Sequence, residues 1–145
     1  YKMYLTNFFS EKSTYSPRNK KKIRKLIELI CKDQNKSLVF LNCIFCSDNY
    51  LLEINKKYLK HNFYTDVITF DHKEEENKNI EGDIYISVDR VKENAKSYGV
   101  KTESELIRVI IHGVLHLCGF GDKNKKEKKI MGDKENKYIS LYNNI

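Results

Sequence analysis

The chain has 145 residues, 40% hydrophobic and 32% charged, with a formal net charge of +7. That length suits a single domain over residues 1–145 that buries its core without disulfide staples, and no apolar run is long enough to span a membrane. The basic balance favours nucleic-acid partners through attraction to phosphate. The signal is diluted because Lys and Asn are abundant throughout, while Arg18, Arg24, Arg90 and Arg108 are the only arginines.

Tyr1 to Phe9 is aromatic but has no basic leader and no A-x-A-like site, so no secretory signal is expected and the cytoplasm is the expected location. Cys31, Cys43, Cys46 and Cys118 are then expected as reduced thiols. A first helix is expected from Ser16-Pro17, with Ser as N-cap and Pro at the first helical position. Ile23, Leu26, Ile27, Ile30 and Cys31 form its apolar face. Ser37 to Ser47 reads as a strand, Ser47-Asp48 caps a short helix through Tyr58, and Val67 to Asp71 is a second strand. The polar run Lys73 to Asn79 reads as a loop, Ile80 to Ser87 as a further strand, and Asp89 to Tyr98 as a helix stopped by Gly99. Thr102 and Glu105 have the spacing of a capping box for the next helix, which carries Leu106, Val109, Ile110, Val114, Leu115 and Leu117. Gly119 ends it. A last helix is expected over roughly Lys125 to Tyr142, weakened by Gly132.

The chemistry lies in His112 to Asp122, HGVLHLCGFGD. His112 and His116 are four apart on a helix, so both imidazoles share one face and reach one ion. Gly119 permits a left-handed turn that folds the chain back, and Asp122 then offers a carboxylate to the same point. The pattern H-x-x-x-H-x-x-G-x-x-D matches the ligand spacing of zinc peptidases. Gly113 stands where those enzymes need a Glu base, and Asp122 where they use a third His. Two His and a carboxylate are an ordinary catalytic zinc set with one position open. One or both His could be core residues, but two unpaired His on one face of a buried helix would be costly. Zinc can ionise water without the missing Glu. A peptide also needs a proton at its leaving amine, whereas an RNA phosphodiester has an oxygen leaving group. The set therefore suits phosphoester chemistry better than peptide hydrolysis.

HGVLHLCGFGD resembles the signature of the YbeY family of rRNA maturation endoribonucleases, in which a Gly follows the first His. Leu52 to Phe70, LEINKKYLKHNFYTDVITF, is similar to the family's "N-x-x-Y…T-D-V-x-x-F" block, and Gly82-Asp83-Ile84 with Ser87 to a third block. The resemblance implies an α+β fold, a small mixed sheet of about four strands with five or so helices, and a zincin-like metal helix. It also implies one Zn2+ per chain on His112, His116 and Asp122. The implied substrate is single-stranded RNA, with roles in 16S rRNA trimming and small-subunit quality control, so the ribosomal small subunit or its assembly factors are the expected partners. Many members have His as third ligand, and an Arg often follows the Tyr of the second block. Here those positions are Asp122 and Leu59, which moves the expected cation to Lys57 or Lys60.

Other residues carry weaker expectations. Asp66 and Asp83 could cap turns, orient a ligand His, or act as acid and base, the first two readings being preferred. Arg108, one turn before His112, could meet a phosphate or pair with Glu105. His61 and His72 are not at ligand spacing, and His61 reads as a solvated loop residue that could approach RNA. Cys43 and Cys46, three apart on a strand, face opposite sides and suit neither chelation nor redox chemistry. Cys118 reads as a buried filler. Two competing functions remain: a zinc peptidase, opposed by Gly113, and an RNA- or ribosome-binding factor with a nearly inert metal, favoured by Leu59.

Overall fold

The computed structural model describes residues 4–145. The elements are β1 (Thr6–Glu11), α1 (Lys20–Asp33), β2 (Ser37–Cys46), α2 (Asp48–Leu59), β3 (Val67–Asp71), β4 (Asn79–Ser87), α3 (Val88–Tyr98), α4 (Thr102–Leu117) and α5 (Lys125–Asn143). The fold is α+β. Its mixed sheet has the order β1-β2-β4-β3, with β1, β2 and β4 parallel and β3 antiparallel on the β4 edge.

Strand alternation sorts the sheet into two faces. Leu41, Cys43 and Phe45 of β2, with Ile84 and Ile86 of β4, enter the main core with α1, α3, α4 and α5. Cys46 and Ile68 lie in a second cluster, under Leu51 and Ile54 of α2. Cys43 and Cys46 thus occupy opposite faces, as their spacing on a strand requires, and all the cysteines are buried free thiols. Ser47 caps α2 by accepting from the Tyr50 N–H at 3.1 Å. Gly99, at φ 69°, ends α3.

The structure adds one element and corrects two local expectations. First, β1 was not anticipated: Phe8 packs on Phe45 while its neighbour Phe9 is exposed, so the apolar pair masks the alternation of an edge strand. Second, α1 starts at Lys20, with Asn19 as a cap lacking a side-chain bond. Pro17 is instead buried in the preceding segment, lining a crevice against the start of α4 with Tyr15 and Leu106. Third, the Thr102–Glu105 capping box does not form: Lys101 is the N-cap, Thr102 is already helical, and Glu105 is buried. Burial raises the Glu105 carboxyl above its usual range.

Candidate metal centre

α4 lies against the sheet, with Val109, Ile110, Val114 and Leu115 buried. The close approach depends on Gly113. A Cβ at that position would come within 2.9 Å of Ile84 Cδ1 and 3.0 Å of Ile84 Cγ2. The position that holds the base in zinc peptidases therefore faces β4 in this chain and has no room for a side chain.

The adjoining face of α4 carries His112 and His116. After Leu117 the helix closes with Phe120 N–H donating to Leu115 O at 3.0 Å, and Gly119 takes φ 106°. That left-handed step, favourable for glycine, returns the chain so that Asp122 meets the histidines. His112 Nε2 is 3.2 Å and His116 Nε2 3.3 Å from Asp122 Oδ2, and the two Nε2 atoms are 2.9 Å apart. One ligand atom from each residue lies within 4.8 Å of the others.

The partners of the other ring nitrogens decide what these atoms offer. His116 Nδ1 is 2.9 Å from Phe120 O, a carbonyl that can only accept, so Nδ1–H donates. His112 Nδ1 is 2.8 Å from Glu135 Oε2 of α5. Burial opposes charge on Glu135, but its hydrogen bonds to His112 and Arg108 outweigh this and hold its carboxyl below the usual range. Glu135 thus accepts, and His112 Nδ1–H donates. In their neutral forms both imidazoles aim Nε2 lone pairs at each other and at a carboxylate oxygen. Such a group repels itself unless a cation or proton sits among it. Carboxylate and carbonyl partners behind ligating imidazoles are the usual support of a metal site. Zinc bonds of about 2.0–2.1 Å at tetrahedral angles place donors roughly 3.3 Å apart, close to the separations found. The donor set fits a metal.

Burial pulls the His112 pKa down, but the Glu135 hydrogen bond, with Asp122 and Asp66 nearby, leaves it raised overall. Asp66 is raised by burial, opposed by His112 and by backbone N–H donors at Asp66 and Val67. Cys118, 8% exposed in the core, has its thiol pushed up to about 11 by burial.

A model of the family described as Endoribonuclease YbeY matches residues 6–143. The chain belongs to the Endoribonuclease YbeY family. It is similar to Endoribonuclease YbeY of Cytophaga hutchinsonii, with 48% identity over 134 residues, covering 92% of this chain and 93% of the relative. It is also similar to Endoribonuclease YbeY of Christiangramia forsetii, at 44% over 136 residues, covering 94% of this chain and 93% of that one. Among solved structures, a Thermotoga maritima protein determined in solution superposes with a TM-score of 0.66 at 32% identity, over 94% of this chain and 88% of that chain.

Two of the three YbeY-like sequence blocks meet at one cleft. It encloses about 310 Å³ and is lined by His112, His116 and Asp122 from the first block, and by Asn55, Leu59, His61, Phe63 and Asp66 through Thr69 from the second. Asp83 of the third block lies away from it. Asp83 bonds Asn42 Nδ2 at 3.0 Å and His72 Nε2 at 2.8 Å, a structural role on the α2 face of the sheet. Leu59 faces the cleft, whereas the flanking Lys57 and Lys60 do not line it. Arg108, partly exposed, pairs with α5 and not with Glu105. It donates to Glu135 at 3.1 Å and to Asn136 at 3.1 Å.

Glu135 is the site residue the sequence reading missed. A signal existed: Met131, Glu135, Tyr138 and Tyr142 are the buried residues of α5. Their helical spacing puts a lone carboxylate on the apolar stripe, where a charge needs a partner.

Proposed function

We propose that this chain is a zinc-dependent endoribonuclease cutting single-stranded RNA, one domain over residues 1–145 with one zinc on His112, His116 and Asp122. The observation that carries this reading is the convergence of two Nε2 atoms and Asp122 Oδ2, with both Nδ1 atoms tied behind them. The names of the relatives supply the reaction, an endoribonuclease. Acting in 16S rRNA 3′-end maturation and small-subunit quality control, with the small subunit or its assembly factors as partners in the cytoplasm, is the matching role. No described helix is long and apolar enough to cross a membrane.

Zinc held here supplies Lewis-acid chemistry to a phosphodiester. The protein's part is to fix the donors and shape the cleft. Glu135 and the Phe120 carbonyl hold the two rings in the Nδ1–H tautomer, and Arg108 holds Glu135 in turn. Arg108 therefore acts through Glu135 and not on phosphate. Asp66 lines the cleft and has its carboxyl raised by burial, which supports a role for it in passing a proton to or from a reacting oxygen. Lys57 and Lys60 add positive charge outside the cleft, toward the flanking backbone of the RNA.

Leu59 favours a second reading, an RNA-binding factor with a weakly active metal, because an apolar side chain lines the cleft where a cation would steady phosphate charge. Incubating metal-loaded wild type and His116→Ala with single-stranded RNA, duplex RNA and casein separates the readings. The expected result is slow cutting of single-stranded RNA by wild type alone. Casein cutting abolished by His116→Ala, with RNA intact, would establish a peptidase. Tight RNA binding without cutting of either substrate would establish the binding factor.

A further inference from the structure

The segment between α2 and β3 presents an aromatic pair at the mouth of the cleft. His61 and Phe63 both line it, together with the metal-binding residues. Their ring centroids are 5.1 Å apart and their planes 20° from parallel. Phe63 is 57% exposed, so much of its ring is open to solvent at the cleft.

The backbone that carries the pair is fixed by hydrogen bonds. Asn55, only 1% exposed, donates from Nδ2 to Phe63 O at 2.8 Å, and its own carbonyl accepts the His61 N–H at 3.1 Å. Lys60 turns the chain between them at φ 56°. Tyr64 Oη, next along, donates to Asn49 at 3.2 Å. The buried Asn55 side-chain amide thus holds the Phe63 end of the step, its main-chain carbonyl holds the His61 end, and the rings are left outside. This gives the Asn of the N-x-x-Y block a physical task.

We propose that the His61–Phe63 pair is a stacking platform for one unpaired RNA base next to the phosphate to be cut. The proposal rests on the cleft being an RNA site. Flat aromatic faces take bases of any sequence. A base in a duplex has both faces covered by its neighbours, so only an unpaired nucleotide can use the platform. Single-strand preference would then come from the rim of the cleft and not from the metal.

The test uses the metal-loaded full chain and a short single-stranded oligoadenylate carrying one 2-aminopurine at successive positions. Wild type should quench the fluorophore and bind with measurable affinity. Phe63→Ala should abolish that quench and weaken binding by about tenfold, while Phe63→Trp restores both. Metal content and melting temperature should be unchanged in the two variants, since the ring is exposed. Equal binding and quenching by Phe63→Ala would overturn the platform, and RNA cutting by wild type in that case would leave the nuclease reading standing. Phe63-dependent quenching without any cutting would do the reverse. No binding of the oligonucleotide by wild type would overturn both.

Discussion

Glu135 Oε2 lies 2.8 Å from His112 Nδ1, tying the last helix to the histidine helix behind the proposed metal-ligand face. An imidazole fixed in this way keeps its Nε2 lone pair aimed at the ion without reorienting. Glu135→Gln should therefore bind zinc about 10–100-fold more weakly than wild type, measured by competition with a chromogenic chelator. Affinity equal to wild type would mean that the contact supports only the packing of α5.

Gly113 predicts a cost that has nothing to do with catalysis. Gly113→Ala drives a methyl into Ile84, and overpacking of this kind destabilises by about 1–3 kcal/mol. A lowered melting temperature with zinc still bound is the expected outcome. Gly113→Glu, the substitution that would complete a peptidase motif, should fail to fold or fold poorly, and should not confer proteolysis. An unchanged melting temperature for Gly113→Ala would show that β4 gives way easily.

Leu59 lines the cleft and is 41% exposed, so replacing it costs little stability. Leu59→Arg should place a guanidinium beside the metal donors and raise the RNA cleavage rate. It should also steepen the fall of RNA affinity with salt, by about one unit of log–log slope per added phosphate contact. A slower enzyme with the same salt slope would place the working cation elsewhere.

Burial pushes the thiols of Cys31, Cys43 and Cys46 up to about 12. At pH 8 the native protein should leave them unmodified by a thiolate-seeking reagent such as iodoacetamide, and denaturant should release them. A thiol raised in the folded state favours folding fully below its unfolded pKa of about 8.5. That contribution is lost as pH climbs toward 12, so stability should decline on the alkaline side. Rapid labelling of the native protein would contradict the burial of these residues.

The histidine helix was legible because its signals are local: apolar spacing from Leu106 to Leu117, two His one turn apart, and a glycine at the exit. Most other elements were legible in the same way, from caps such as Ser47 and stops such as Gly99. Glu135 was not, because its partner is 23 residues distant in sequence. Nothing local separates it from the other acids of a charge-rich helix except its place on the apolar stripe. β1 escaped because a parallel edge strand takes its register from β2, with Phe8 opposite Cys43 and Phe9 opposite Ile44, and not from a turn of its own. Local spacing leaves Arg108 between a phosphate and Glu105 of its own helix, whereas its partners come from α5. The inward turn of Glu105 has the same origin, since tertiary packing overrode the local cap.

Metal content tests the central claim most directly. Elemental analysis of the purified protein should find about one zinc per chain, as a three-donor site with one open position predicts. His112→Ala and His116→Ala should each lose it, Asp122→Ala should weaken it, and Asp122→His should retain it. Full zinc retention in both histidine variants would contradict the assignment of the site.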